Sequence, residues 1–128
     1  MEYYPKNLQQ GMMEKSFHID EVQVLARQLV SAILVMRNNN IIHSDLKPGH
    51  ILLDASNQNL KVCGFDEAYY AGSIKVLPNI GTLPYRAPEI ILGYSADFKI
   101  DVWAIAVVLY EMVTDTKLFK GIYNNDVL

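Results

Sequence analysis

The apolar residues between positions 19 and 36 recur every three or four residues, the spacing of one face of an α-helix. This face comprises Ile19, Val22, Leu25, Ala26, Leu29, Val30, Ile33 and Met36. Arg27, Gln28 and Ser31 lie mostly on the opposite side, so the helix is predicted to be amphipathic. The three asparagines at 38–40 are expected to end it, because asparagine tolerates the left-handed backbone at a helix C-terminus.

Residues 51–53 and 60–62 are predicted to be two short strands, and the turn-forming residues 54–59 between them predict a β-hairpin. Residues 64–89 have no clear period, which is typical of a long functional loop. Residues 1–16 are polar with scattered apolar positions. The predicted fold class is therefore mainly α with one short β-hairpin.

Two further helices are predicted in the second half of the chain. A short one is expected to begin at Pro88, since proline suits a first helical turn, and to end before Gly93. Residues 99–113 form the other, which is apolar on nearly every side. A helix with that pattern is expected to be buried all round.

Four motifs, in the same order, resemble those of protein kinases. Residues 43–50 read H-S-D-L-K-P-G-H, which is similar to the kinase catalytic loop H-R-D-L-K-P-x-N. Residues 61–66 read K-V-C-G-F-D, where a kinase has a strand that ends in D-F-G. Residues 85–89, Y-R-A-P-E, match the A-P-E element, and residues 101–106 resemble the opening D-x-W-x-x-G of the central C-lobe helix. The resemblance implies a partial protein-kinase-like C-lobe.

Within the protein kinases, the chain resembles the Ser/Thr kinases. Lys47 lies two residues after Asp45, the counterpart of the catalytic aspartate, and Thr82 precedes A-P-E. Arg86, directly before A-P-E, is typical of the CMGC group, so Thr82 and Arg86 are candidate substrate-loop residues. The stretches most similar to the pre-mRNA-splicing kinase of that group are residues 40–45, 85–93 and 118–125.

By resemblance, Asp45 and Lys47 are the catalytic candidates, with ATP and magnesium as cofactors. Asp45 would accept the proton of the substrate hydroxyl, and Lys47 would contact the transferred phosphate. The structural alternative for Asp45 is a loop aspartate that accepts bonds from nearby backbone N–H groups. The alternative for Lys47 is a solvated surface lysine.

The chain departs from the family at both metal-binding positions. Gly64 replaces the aspartate that holds the main magnesium, and His50 replaces the asparagine that binds the second. Magnesium prefers oxygen ligands at about 2.0–2.1 Å, so an imidazole nitrogen is a poor substitute. Asp66 is a weak substitute for the aspartate that the family has at position 64, because side chains two residues apart on an extended backbone lie about 6–7 Å apart. No metal ligand is assigned with these residues.

The resemblance implies structural roles for four other residues. His43 is expected to pack in the core and bond backbone near G-F-D, with Phe65 in a core slot. Asp101 is expected to bond the backbone of the catalytic loop. Glu89 is expected to lack its usual arginine partner, which comes later in the family domain. Ser44 replaces an arginine that binds a phosphate on the activation segment, so activation through that pair is not expected.

A length of 128 residues is one domain or part of one. By resemblance, residues 1–128 run from the post-hinge segment to just after the central C-lobe helix. The N-lobe and the C-terminal helices are then expected to be absent. The exposed side of the central helix would form an apolar patch.

Composition excludes several function classes. With 51% hydrophobic and 20% charged residues the chain is globular rather than disordered. The net charge of −3 without a basic stripe argues against nucleic acid or membrane partners. The single cysteine, Cys63, excludes an internal disulfide and suits a reducing compartment. No signal peptide is visible, so an intracellular location, cytoplasmic or nuclear, is expected.

Three interpretations follow for function. The favoured one is a catalytically inactive, truncated kinase-like fragment, without measurable magnesium-dependent ATP binding. The second is a pseudokinase-type module that binds a protein partner or the missing kinase segments. The third is part of an active Ser/Thr kinase, if the chain is incomplete.

Overall fold

The structure, a computed structural model, describes residues 3–73 and 79–120. In that part of the chain, four α-helices, five short β-strands and three 3₁₀ turns follow one another. This confirms the predicted fold class, which is mainly helical with a short hairpin. None of the helices described is both long and apolar enough to cross a membrane. Residues 121–125, part of one stretch that resembles the splicing kinase, lie outside the described residues.

The first elements are strand β1, Lys6–Asn7, and helix α1, Leu8–Glu14. Asn7 and Gln10 form a capping box at the start of α1. The Asn7 side-chain oxygen accepts from the Gln10 backbone N–H at 2.9 Å, and the Gln10 side chain accepts from the Asn7 N–H at 2.8 Å. The apolar pattern does not predict α1, because this short helix buries only Leu8 and a glycine.

Helix α2, Ile19–Asn38, is the amphipathic helix that the spacing predicts. Its buried residues are Val22, Leu25, Leu29 and Met36. Ile19 and Val30, two positions of the predicted apolar face, are exposed, so the buried stripe is narrower than the sequence pattern. Asn40 follows the helix in the left-handed conformation, with φ of 58°.

The hairpin predicted between residues 51 and 62 is present. The remaining strands are β2 (Ile41–Ile42), β3 (Ile51–Leu53), β4 (Leu60–Val62) and β5 (Tyr69–Tyr70). β3 and β4 pair antiparallel, with Ile51 opposite Val62, and β1 completes a sheet in the order β1-β3-β4. β2 and β5 form a separate antiparallel pair, which connects the start of the loop at residues 43–47 to the loop after β4.

Asp54 organises the turn between β3 and β4. Its carboxylate accepts hydrogen bonds from the backbone N–H groups of Gln58 and Asn59 and from the Ser56 hydroxyl. The Asn59 side-chain amide adds a fourth bond at 2.7 Å. These donors favour the charged carboxylate, and they lower the pKa of Asp54 from 3.8 to about 2.

Asp54→Ala is expected to lower stability near neutral pH by an amount that shrinks in acid. Because folding lowers this pKa, the carboxylate stabilises the folded chain fully above pH 3.8, and the effect is lost as pH falls through about 2. Urea midpoints of the variant and the unmodified chain should therefore converge on acidification. Asp66→Ala, which removes an exposed carboxylate, is the control; a gap independent of pH would contradict the prediction.

The second half contains helices α3, Pro88–Ile91, and α4, Lys99–Thr114, close to their predicted bounds. The buried apolar residues of α4 are Ile100, Ala104, Ile105, Val107, Val108 and Met112. The opposite side is open among the described residues, where Val102, Tyr110 and Val113 are 41–53% exposed. The helix is therefore buried on one side only in this part of the chain.

Two apolar clusters hold these elements together. The larger one joins α1, α2, the hairpin and α4 around side chains such as Leu25, Leu29 and Val108. The smaller one packs α3 and the segment before it against β2 and the start of α4. Its members are Ile42, Ile80, Ala87, Ile90 and Ile100. The loop at residues 43–47 runs between the two clusters, with Leu46 buried in the larger one.

Candidate functional site

The loop at residues 43–47 is anchored by Asp101, at the start of α4. The backbone N–H groups of His43 and Ser44 donate to the two carboxylate oxygens of Asp101 at 2.8 and 3.0 Å. Asp101 is only 2% exposed, and burial raises its pKa while the two N–H donors oppose that shift. This is the contact with the loop backbone that the resemblance implies. Ser44 itself has φ of 72°, a left-handed conformation for a residue other than glycine.

His43 joins this loop to the end of β4. Its Nε2–H donates to the carbonyl oxygen of Cys63 at 2.8 Å, and its Nδ1 accepts from the N–H of Asp45 at 3.1 Å. These partners assign a neutral imidazole, and the residue is fully buried. Since both ring nitrogens bond backbone groups, His43 supports the loop instead of acting as a base.

Phe65 departs from its expected position. Its ring lies 4.7 Å from the ring of His43, but the residue is 45% exposed. Gly64 starts the 3₁₀ turn Phe65–Glu67 in a left-handed conformation, and this turn leaves one side of the phenyl ring open in the described structure. The prediction of a core slot for Phe65 is therefore wrong.

Asp45, Lys47 and Thr82 come together in one cluster. The Thr82 hydroxyl donates to Asp45 Oδ1 at 2.7 Å and accepts from Lys47 Nζ at 3.0 Å. Lys47 Nζ also lies 3.9 Å from Asp45 Oδ2, whose side chain is 13% exposed. A hydroxyl of the chain itself thus lies against the Asp45 carboxylate. The structure joins the two catalytic candidates to one of the substrate-loop candidates.

Arg86, the other substrate-loop candidate, shapes the segment that carries Thr82. Its guanidinium donates to the carbonyl oxygens of Ile80 at 2.9 Å and Gly81 at 3.1 Å. Glu67, which the sequence analysis did not single out, accepts from the N–H of Gly81 at 3.1 Å. These bonds hold the segment against the loop of Asp45, so Arg86 supports the backbone here.

Two acidic residues differ in their surroundings. The side chain of Glu89 makes no hydrogen bond or ion pair with residues 3–73 or 79–120, although its carbonyl accepts from the Tyr94 N–H at 2.8 Å. Glu111, a residue that the sequence motifs did not indicate, accepts a hydrogen bond from the Tyr85 hydroxyl. Burial, and then this bond, raise the pKa of Tyr85. The hydrogen bond between Tyr85 and Glu111 links α4 to the segment before α3.

The positions of the two altered metal ligands are packed against each other. Gly64 has φ of 77°, and a Cβ on it would lie within 2.6 Å of three atoms of the His50 ring. The His50 Nδ1–H donates to the carbonyl oxygen of Asp45 at 2.8 Å. Asp66 is exposed on the 3₁₀ turn. Among residues 3–73 and 79–120, no three His, Cys, Asp or Glu side chains lie close enough together to hold a metal ion.

A family model described as the protein kinase domain matches residues 1–127 of the chain. The chain belongs to the protein kinase family. The loop of Asp45 is accordingly the kinase catalytic loop, α4 is the central helix of the kinase C-lobe, and residues 64–89 correspond to the activation segment.

The chain is similar to curated protein kinases over most of its own length. It is 36% identical over 110 residues to serine/threonine-protein kinase prpf4B of Dictyostelium discoideum, an alignment that covers 86% of this chain and 14% of that protein. It is 37% identical over 110 residues to serine/threonine-protein kinase prp4 of Schizosaccharomyces pombe, covering 86% and 23%. For calcium-dependent protein kinase 4 of Plasmodium falciparum the identity is 33% over 119 residues, covering 90% and 22%.

The chain therefore spans less than a quarter of the length of these relatives. The predicted resemblance to Ser/Thr kinases of the prp4 type is confirmed. Within this kinase fold, the family's magnesium does not fit the residues present. Gly64 offers no side-chain ligand atom, and the His50 ring fills the space where a side chain at position 64 would lie. Magnesium requires several oxygen ligands in an octahedral arrangement, which an imidazole packed against a glycine does not supply.

Proposed function

We propose that this chain is a catalytically inactive Ser/Thr-kinase-like module, which retains the hydroxyl-binding side of the kinase site and has lost the metal-binding side. The observation that carries the proposal is the packing of His50 on Gly64 in place of two magnesium ligands. Phosphoryl transfer depends on metal ions that neutralise the phosphate charge, so this change removes the largest electrostatic term.

The hydroxyl-binding side supports the kinase-like half of the proposal. Asp45 Oδ1 accepts from a threonine hydroxyl at 2.7 Å, and Lys47 donates to the same hydroxyl. An incoming serine or threonine that displaced Thr82 would find the same carboxylate acceptor and the same ammonium donor. In an active kinase, ATP and magnesium would be required opposite these groups.

The test is Mg-ATP binding and phosphate transfer by the purified protein. We expect no Mg-ATP-dependent rise in melting temperature, because Gly64 and His50 provide no metal site. The measurement is sensitive, since a ligand at about 100 times its Kd stabilises a folded protein by about 2.7 kcal/mol.

Asp45→Asn is the matched control for transfer, since it keeps the shape of the carboxylate and removes its charge. A saturable shift at micromolar Mg-ATP, with transfer to Ser/Thr peptides that Asp45→Asn abolishes, would overturn the proposal. That outcome would instead support the second candidate function, an active Ser/Thr kinase, which the Asp45–Thr82–Lys47 cluster favours.

A third candidate is a pseudokinase-type module that acts by binding a protein, inside the cell. It is supported by the open side of α4, where Val102, Tyr110 and Val113 are each more than 40% exposed. Sedimentation of the purified protein tests whether the occupant of this surface is a second copy of the chain. A stable monomer would leave this surface free for a different protein, whereas self-association would show that copies of the chain cover it.

A further inference from the structure

We propose that His50 and Gly64 form one coupled unit, a brace that joins the catalytic loop directly to the start of the activation segment where kinases join them through metal ligands. The proposal rests on the proposed function, and it makes His50 a positioning residue for Asp45. It implies that the two departures from the family pattern depend on each other, so that neither can be reversed alone.

The first step is the conformation of Gly64. Its φ of 77° lies in the left-handed region, where asparagine and aspartate are the best tolerated side chains after glycine. Backbone strain alone therefore does not exclude an aspartate at this position. The steric environment does, because the His50 ring lies within 2.6 Å of the place where a Cβ would be.

The second step is that the His50 ring is held in place. Its Nδ1–H donates to the Asp45 carbonyl at 2.8 Å, so rotating the ring away breaks a bond to the catalytic loop. The backbone is fixed as well: the His50 N–H donates to Lys47 O, and the His50 carbonyl accepts from the Cys63 N–H, both at 2.9 Å. The ring is consequently a wall of the site and not the free end of a flexible side chain.

The third step is what the ring does for Asp45. The bond from His50 ends on the backbone carbonyl of Asp45, and Nδ1 lies 3.7 Å from Asp45 Oδ2. Ring atoms of His50, Nδ1 among them, also lie against Gly64, and the ring of the next residue, Phe65, lies tilted against that of His43. The imidazole thus spans the gap between the two segments, and it fixes the backbone from which the Asp45 carboxylate projects.

The test is a double-mutant cycle on the purified protein with four members: the unmodified chain, His50→Asn, Gly64→Asp and the double variant. Urea unfolding measures coupling, and electron paramagnetic resonance of added Mn²⁺ measures metal binding. We expect Gly64→Asp to be the least stable, because its side chain meets the ring. If the two substitutions acted independently, their effects on the folding equilibrium constant would multiply. The measured constant of the double variant should exceed that product by at least about tenfold.

Mn²⁺ binding is a second measurement, and it would not change if His50 and Gly64 had a structural role only. The double variant should bind Mn²⁺ through the restored aspartate and asparagine oxygens, whereas the unmodified chain and both single variants should not. Additive stabilities, or Mn²⁺ binding by Gly64→Asp alone, would overturn the brace.

Two alanine substitutions test the same coupling if the Gly64→Asp variant does not fold. Gly64→Ala brings the same Cβ against the ring, and His50→Ala removes the ring. His50→Ala should reduce the cost of Gly64→Ala; equal costs in the two backgrounds would overturn the proposal. Failure of the proposed function is separate, since it would appear as phosphate transfer by the unmodified chain.

Discussion

Asp101→Ala is expected to lower the free energy of unfolding by about 3–5 kcal/mol, because two buried backbone N–H groups lose a charged acceptor. The backbone N–H groups of His43 and Ser44 donate to the Asp101 carboxylate at 2.8 and 3.0 Å. Asp101 is only 2% exposed. Urea denaturation followed by circular dichroism measures the loss.

Asp97→Ala is the matched control for Asp101→Ala. Asp97 is exposed, lies one turn earlier, and accepts one bond from the Lys99 N–H at 2.8 Å. Loss of such an exposed hydrogen bond costs about 1 kcal/mol. Similar losses for the two variants would show that Asp101 does not anchor the loop.

Gly81→Ala is expected to cost about 2–4 kcal/mol, from left-handed backbone strain and from a collision with the catalytic loop. Gly81 has φ of 77°, and a Cβ there would lie 2.6 Å from the backbone oxygen of Ser44. Relief of that contact moves the adjacent Thr82 away from Asp45. Chemical denaturation gives the stability loss.

Gly93→Ala separates the two contributions to that loss. Gly93 has φ of 80°, nearly the same conformation, but a Cβ there would meet no atom within 4 Å. This variant should show the strain alone, about 1–2 kcal/mol. If both glycine variants lost the same free energy, contact with the catalytic loop would play no part.

The elements with a strong apolar period were predictable from sequence. α2 and α4 begin and end close to their predicted bounds, and the turn-forming residues 54–59 placed the hairpin correctly. α1 was not predicted because it buries little and contains Gly11. The only signal for it was the capping pair Asn7 and Gln10, three residues apart, which is a weak one without an apolar run behind it.

The site was only partly predictable. Motif positions named Asp45, Lys47 and Thr82, but sequence does not give distances, and their cluster depends on how the segment at 79–86 folds back on the loop. Phe65 was misplaced because the family pattern carries the packing of a whole kinase domain. The exposure of Phe65, in contrast, depends on which described elements pack against its ring.

The packing of His50 on Gly64 carried a signal that motif comparison overlooks. Motif comparison treats each altered ligand as a separate loss. The hairpin register, however, pairs Ile51 with Val62, so His50 lies opposite Cys63, and Gly64 is the next residue along that strand. A large ring and a glycine at these two positions are complementary in volume, and volume complementarity across a hairpin can be sought in a sequence once the register is known.

The bond between Asp101 and the catalytic loop has a consequence for synthesis in the cell. The loop and its anchor are separated by 58 residues along the chain. On a ribosome that adds about 5–20 residues per second, Asp101 is made several seconds after His43. During that interval the two N–H groups donate to water in place of the Asp101 carboxylate, and the residues of α2 and the hairpin are all made before Asp101. The loop of Asp45 therefore gains its buried acceptor only after α2 and the hairpin have been synthesised.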